Sequence, residues 1–130
     1  MALDSDLLGL LAEPNFAALT TLGPDGSPST HIMWVDHDDE HVLLNTEIHR
    51  QKYKNVQRDP RVAVTVFDRG NAYRYVEVRG TVVGTVGGAE ARDHIDHCSQ
   101  KYTGADYANP IQSERVILRV AVDRLHKNGY

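Results

Sequence analysis

The stretch that decides the fold is RVAVTVFDRGNAYRYVEVRGTVVGTV, residues 61–86. Apolar residues alternate along 61–68 and again along 72–86, and this two-residue period is typical of β-strands. The residues 68–71, where the first run ends and the second has not begun, have the composition of a tight turn. We expect a bend or bulge at Gly80 and Gly84, because glycine inside a long strand often marks one. The stretch therefore predicts a long antiparallel hairpin.

Further strands lie on either side of this hairpin. Residues 16–22 and 27–35 flank Gly23-Pro24-Asp25-Gly26, whose proline and glycines are typical of a β-turn. The acidic run 36–40 predicts another turn, which is followed by a strand over 41–46. A last strand is predicted over 114–122. With the central hairpin, the chain has six predicted strands.

Three helices are predicted between the strands. Leucines at helical spacing indicate a short helix before Pro14, and the run 50–58 forms a second helix that ends at Asp59-Pro60. Ala91, Ile95, Cys98 and Tyr102 share one face of a third helix, which Gly104 terminates. The order predicts a mainly β protein, a six-stranded antiparallel β-barrel with accessory helices, as a single domain over residues 1–130.

Composition excludes several classes of protein. With 41% apolar and 25% charged residues the chain is typical of a soluble domain, and its net charge of −4 argues against nucleic-acid binding. The apolar run Leu7 to Ala12 is far too short to span a membrane, so no membrane association is expected. The single cysteine cannot form an internal disulfide. A reducing, cytoplasmic location is therefore the expectation.

Charge is reversed locally in one segment. Between His49 and Arg61, five basic residues face one acid, which gives a local charge of +4 in an acidic protein. Arg50 and Lys52 lie in the first turn of the second helix, where the helix dipole disfavours cations. An anion bound there would offset this cost, because first-turn amides and basic side chains together bind phosphate. A solvated basic face is the alternative.

Other residues suggest chemistry less strongly. Asn45-Thr46 precedes the basic helix and either caps it or binds a phosphate or ribityl hydroxyl. His94 and His97 lie three residues apart on one helix, but no metal-binding motif accompanies them, and we expect no metal. Cys98 is expected to be buried and inert. The absence of a hydrolytic motif favours an enzyme whose cofactor carries out the difficult step.

Three segments together resemble a known superfamily. They are AALTTLGPDGSP (17–28), LLNT (43–46) and RQKYKNVQRDPRVA (50–63), and they look like the pyridoxamine-phosphate-oxidase-like flavin and deazaflavin oxidoreductases. A later segment, KYTGADY (101–107) followed by Glu114-Arg115-Val116, is similar to the deazaflavin-dependent branch of that superfamily. The resemblance spans nearly the whole chain.

The resemblance implies a split β-barrel of the FMN-binding type that forms a homodimer, with two cofactors held between the protomers. It implies that the cofactor phosphate is bound by Asn45, Thr46, Arg50, Gln51, Lys52 and Asn55. The ring system would lie against Ile32, Met33 and Trp34, with Tyr73, Arg74, Tyr75 and Val76 of the partner's long strand contributing mainly through backbone.

Departures from the superfamily pattern bear on the cofactor. The Ser-Arg pair and the C-terminal substrate-binding motif of authentic pyridoxamine phosphate oxidases are not found, so that activity is not expected. Arg50, Lys54 and Arg58 extend the positive surface beyond one phosphate, which favours coenzyme F420 (8-hydroxy-5-deazaflavin), with its oligoglutamate tail, over FMN. The expected function is hydride transfer from the reduced deazaflavin to an electron-poor small-molecule acceptor. An FMN-dependent oxidoreductase and a non-catalytic flavin or deazaflavin carrier are the alternatives.

Overall fold

The chain folds into one antiparallel sheet with three helices around it, in a computed structural model that describes residues 2–130. The helices are α1 (Ser5–Leu11), α2 (Gln51–Arg58) and α3 (Gly88–Thr103). The strands are β1 (Phe16–Leu22), β2 (Pro28–Met33), β3 (Asp36–His37), β4 (His41–Glu47), β5 (Arg61–Asp68), β6 (Asn71–Val86) and β7 (Arg115–Asn128).

The sheet wraps around so that its two edges meet. Its strand order is β2-β1-β5-β6-β7-β4-β3, and every neighbouring pair is antiparallel. The edge strands β2 and β3 are joined by only Trp34 and Val35, so the end of β2 and the start of β3 lie close together although the two strands do not pair. A sheet that returns to its own edge leaves little free strand to aggregate.

The barrel interior is filled by branched aliphatic side chains. Every second residue of β5, from Val62 to Val66, points inward, as do Val76 and Val78 of β6. Helix α1 adds Leu7 and Leu11, both at most 1% exposed, to the same core. The other face of β5 is mostly half-buried.

The predicted hairpin over 61–86 is confirmed as β5 and β6, with its bulges at the predicted glycines. The pairing of β6 with β7 shifts register between Arg79 and Gly80 and again between Val82 and Gly84. A side chain at Gly80 would place its Cβ 2.7 Å from a methyl carbon of Val120, so only glycine fits this close crossing of strands.

The count of six strands was wrong by one. Asp36 and His37 form the short strand β3, which pairs with Leu43 and Val42, where the sequence indicated only a turn. The turn itself is shorter, because the Asp38 carboxylate accepts hydrogen bonds from the backbone amides of Glu40 and His41. Two residues of acidic and polar type carry no strand period, so the pattern did not indicate this strand.

Several element boundaries also differ from the prediction. Strand β7 runs to Asn128 instead of 122, because its exposed second half pairs with the polar first half of β6 and has no apolar period. Strand β2 ends at Met33 instead of 35. Helix α3 begins at Gly88 and ends as expected with Gly104 in the left-handed conformation, φ 77°. Within residues 2–130 no helix is long and apolar enough to span a membrane.

Candidate functional site

A cavity of about 300 Å³ lies between the end of β2, the start of α2 and the middle of α3. This volume is at the lower end of the range for small-molecule sites. Seven of the thirteen residues predicted to bind cofactor line it: Ile32, Met33, Trp34, Asn45, Thr46, Arg50 and Lys52. The cavity therefore combines the predicted ring wall with two of the predicted phosphate-binding cations and the Asn45-Thr46 pair in a single chain.

One side of the cavity is strongly cationic. Lys52 is partly buried, and the pKa of its ammonium is lowered by burial and by the nearby charges of Arg50 and Arg115. No carboxylate forms an ion pair with Lys52 among the described residues. A partly buried cation beside two others is unfavourable unless an anion joins them. This wall is therefore suited to a phosphate or carboxylate ligand.

Arg115 is the cationic residue that the sequence analysis missed. It begins β7, its side chain is 6% exposed, and its guanidinium stacks over the Tyr107 ring at 5.2 Å. Nε donates to Asn45 Oδ1 (2.8 Å), and Nη1 donates to Glu47 Oε2 (3.4 Å). The guanidinium has five N–H donors, so some remain for a ligand. In the sequence analysis Arg115 contributes only to the family resemblance of Glu114-Arg115-Val116, and nothing local links it to residue 45.

The Glu47 carboxylate neutralises part of the positive charge of Arg50 and Arg115. Its carboxylate is 2% exposed and accepts backbone hydrogen bonds from Gln112 and Ser113, both at 2.7 Å. Burial alone would raise the pKa of Glu47, but these amides and the charge of Arg115 lower it below its ordinary value. One carboxylate against Arg50, Lys52 and Arg115 leaves the site with a net positive charge.

The two polar residues at the end of β4 have separate roles. The Asn45 amide lies between Arg115, the Ala91 carbonyl and the His94 ring, so it anchors other side chains. Thr46 lines the cavity. Helix α2 has Arg50 at its N-cap and no side-chain cap, so the alternative that Asn45 or Thr46 caps this helix was wrong.

The opposite wall is apolar and aromatic. The Trp34 indole stacks on Tyr102 with centroids 5.2 Å apart and an 8° angle between planes, and it meets the Tyr107 ring edge-on. The Tyr102 hydroxyl accepts a hydrogen bond from the Val35 amide (3.0 Å) and donates to the Asn15 carbonyl. Trp34 is thus held in one orientation beside Ile32, which is 60% exposed.

The remaining predicted residues lie outside this cavity. Asn55 is 2% exposed and donates to Thr21 Oγ1 at 3.0 Å, and Gln51 donates to Asn55 Oδ1 at 2.8 Å, so both amides bind within the chain. Tyr73, Arg74 and Tyr75 lie at the far end of β6, and Tyr73 is 81% exposed. Val76 is fully buried in the core of the barrel.

The positive segment between His49 and Arg61 does not act as one surface. Arg58 donates to the Leu22 carbonyl, and Arg61 forms an ion pair with Asp59 at 2.7 Å. Lys54 is exposed and does not line the cavity. Only Arg50 and Lys52 of this segment reach the cavity, so its local charge of +4 overstates the charge at the site.

A second polar cluster adjoins the cavity, and its member Cys98 also lines the cavity. Asp36, His94 and Cys98 have side-chain atoms within 4.8 Å of one another, a combination that includes only one of the two histidines weighed in the sequence. His94 Nε2 lies 2.9 Å from Asp36 Oδ2, and Cys98 Sγ lies 3.6 Å from the same nitrogen. Burial and the charge of Asp36 raise the pKa of the Cys98 thiol to about 12, so the thiol stays protonated and inert as predicted.

Comparison with known proteins agrees with this fold. A solved F420 reductase is 31% identical, with a TM-score of 0.83 over 97% of this chain and 100% of that one. A conserved hypothetical protein of Mycobacterium tuberculosis is 26% identical (TM-score 0.75, covering 96% and 83%). General Stress Protein 26 of Bacillus anthracis, at 17% identity and TM-score 0.73 (95% and 91%), shares the fold. The chain matches no curated protein sequence.

The family assignment rests on almost the entire chain. Residues 3–129 match the pyridoxamine 5'-phosphate oxidase family, which covers all three helices and all seven strands. The resemblance stated from the segments at 17–28, 43–46 and 50–63 is thereby confirmed, and so is the mainly β split-barrel fold. The chain belongs to the pyridoxamine 5'-phosphate oxidase family.

Proposed function

We propose that this protein is an oxidoreductase that binds coenzyme F420 in the cavity and passes a hydride from the reduced deazaflavin to an electron-poor organic acceptor. The similarity to an F420 reductase along the whole chain supports this choice. The observation that carries it is Lys52, a partly buried cation that faces the cavity with two arginines and without a carboxylate partner.

The residues present fit a phosphorylated planar ring. Arg50, Lys52 and Arg115 supply charge-assisted donors for the phosphate, which form some of the strongest hydrogen bonds in proteins. The wall formed by Ile32 and Trp34 offers flat apolar surface for a ring. Both FMN and coenzyme F420 have these two parts, and the bound coenzyme would supply the hydride chemistry itself.

The chain's own residues bind, orient and exclude water. Trp34 is stacked on Tyr102 and cannot turn away, so a ring placed against it is held at one angle. Arg115 is fixed by Asn45 and Glu47 and sets the position of the anionic end. We assign no proton donor, because Tyr73 is exposed and Tyr75 lies away from the cavity.

The proposal includes a homodimer in which the partner covers the open side of the cavity. Ile32 at the cavity rim and Val83 and Tyr73 on β6 are large apolar or aromatic residues that are more than half exposed in the single protomer. In such a dimer, Tyr73, Arg74 and Tyr75 would reach the partner's cofactor. Val76 would contribute only through its backbone, because its side chain fills its own core.

The deciding experiment is a titration of the purified protein with FMN and, separately, with coenzyme F420, followed by absorbance and fluorescence. We expect coenzyme F420 to bind more tightly, and the reduced coenzyme to be oxidised when conjugated carbonyl or nitroaromatic compounds are added. Tighter binding of FMN would mean that the cofactor is this flavin and not the deazaflavin. Tight binding without oxidation by any acceptor would favour the carrier alternative.

A further inference from the structure

The starting observation is that one orientation of the Asn45 amide satisfies all its neighbours. Arg115 Nε can only donate a hydrogen bond, and it lies 2.8 Å from Asn45 Oδ1. The Ala91 carbonyl can only accept, and it lies 3.0 Å from Asn45 Nδ2. If the amide were flipped, its Nδ2 would face the donor Nε of Arg115 and its Oδ1 would face the Ala91 carbonyl, and neither contact could be a hydrogen bond. The carbonyl of Asn45 therefore faces Arg115.

This orientation determines the tautomer of His94. Asn45 Nδ2 also lies 3.0 Å from His94 Nδ1, so that ring nitrogen must accept the hydrogen bond and carries no proton. The neutral imidazole then has its proton on Nε2, which lies 2.9 Å from Asp36 Oδ2 and donates to it. The hydrogen bonds are therefore donated in one direction: Asn45 donates to His94, and His94 donates to Asp36.

The surroundings favour this arrangement. Burial alone would raise the pKa of Asp36, but the hydrogen bond from His94 and the charge of Lys101 help to lower it below its ordinary value, so Asp36 is an anion that only accepts. The other titratable groups near His94 are the protonated thiol of Cys98 and the exposed imidazole of His97, whose Nε2 lies 3.7 Å from the same Asp36 oxygen. These contacts also account for the clustering of Asp36, His94 and Cys98.

We propose that Asp36 and His94 are positioning residues for Arg115, acting through Asn45. Asp36 holds His94 with its proton on Nε2, His94 Nδ1 holds the Asn45 amide in one orientation, and the Asn45 carbonyl fixes the guanidinium at the cavity wall. The chain of contacts joins β3, α3, β4 and β7, so four separate elements set the direction of one cation. The part of this inference that concerns cofactor binding rests on the function proposed above.

The first test needs no cofactor. In histidine-labelled protein near neutral pH, long-range ¹H–¹⁵N spectra should show His94 with its proton on Nε2 and a bare Nδ1. The Arg115 Nε–H should give its own slowly exchanging signal, because it is buried and hydrogen-bonded. A proton on Nδ1 of His94, or averaging between the two tautomers, would overturn the proposal.

The second test uses Asp36→Ala, with Asp93→Ala as the matched control. Asp93 lies next to His94 on α3, but its side chain is exposed, and its replacement removes the same charge. Asp36→Ala should shift or broaden the Arg115 Nε–H signal, whereas Asp93→Ala should leave it unchanged. His94→Gln serves as a second variant if Asp36→Ala folds poorly. An unchanged Arg115 signal in whichever variant folds would contradict the positioning role of Asp36 and His94.

Cofactor binding separates this proposal from the function itself. Asp36→Ala should weaken binding of coenzyme F420 or FMN about three- to tenfold, the effect of losing one neutral hydrogen bond, while Asp93→Ala binds like the parent. If the parent binds neither cofactor but the spectra behave as described, the proposed function is wrong, whereas the positioning of Arg115 by Asp36 and His94 is supported. If the parent binds cofactor and Asp36→Ala binds equally well, the positioning role is wrong.

Discussion

The Trp34 indole lies flat against Tyr102, with ring centroids 5.2 Å apart, and forms part of the cavity wall. Trp34 is the single tryptophan of the chain, so its fluorescence reports on this site alone. We predict saturable quenching of tryptophan emission when FMN or coenzyme F420 is added, because the ring would lie beside the indole. Binding detected by calorimetry without any change in emission would place the ring elsewhere.

Lys52→Ala should weaken cofactor binding by about 1.5–3 kcal/mol, the range for a charge-assisted hydrogen bond, which is at least tenfold in affinity. Lys54→Ala is the matched control, since Lys54 lies two residues away on the same helix but is exposed and outside the cavity. Fluorescence titration of both variants decides the point. Equal losses in the two variants would mean that the basic segment is ordinary solvated surface.

Without cofactor, Lys52→Ala should leave the free energy of unfolding unchanged or raise it by about 0.3–1 kcal/mol. The pKa of Lys52 is lowered in the folded state, so its charged form is less favourable there than in the unfolded chain. Urea unfolding of the cofactor-free protein at pH 7 measures this. A clear loss of stability would show that Lys52 has a structural partner in the apoprotein.

Stability should fall as the pH rises above about 9. The pKa values of Cys98 and Tyr102 are both raised to about 12, first by burial, so the unfolded chain loses these protons at a lower pH than the folded protein. Between pH 8 and pH 11 the buried thiol alone should cost roughly 1–3 kcal/mol. The free energy of unfolding in urea should therefore differ less between pH 8 and pH 11 for Cys98→Ala than for the parent. Tyr73→Phe, at an exposed position, should not change it.

Cys98 should react slowly with thiol reagents in the native protein and quickly after unfolding. Its side chain is 3% exposed, and the thiolate that reacts is disfavoured by burial and by Asp36. Labelling with a chromogenic disulfide, with and without urea, gives the two rates directly. Fast native labelling together with loss of cofactor binding would restore Cys98 as a reactive group.

The protein should be a dimer at micromolar concentration, with twice the chain mass in light scattering. Ile32, Tyr73 and Val83 expose apolar or aromatic surface that a partner would cover, and stable interfaces usually bury more than about 1,000 Å². Val83→Glu should weaken the dimer and, with it, cofactor binding. A stable monomer that still binds cofactor would remove the partner from the site.

The sequence by itself determined the elements of this protein and one side of its site. The two-residue period of 61–86 predicted the central hairpin and its glycine bulges, and the misplaced cations of α2 pointed to Lys52 and Arg50. These signals are local, because strand period and helix dipole act over a few residues. Short or polar strands such as β3 lack that period and were not recognised.

Only the tertiary structure decided which residues complete the site. Arg115 meets Asn45 across 70 positions of sequence, and His94 meets Asp36 across 58. Nothing near any of these residues in the sequence indicates which partner it meets. They acquire a role because the curled sheet brings β3, β4 and β7 against α3, where buried polar groups must find partners with the correct direction of donation.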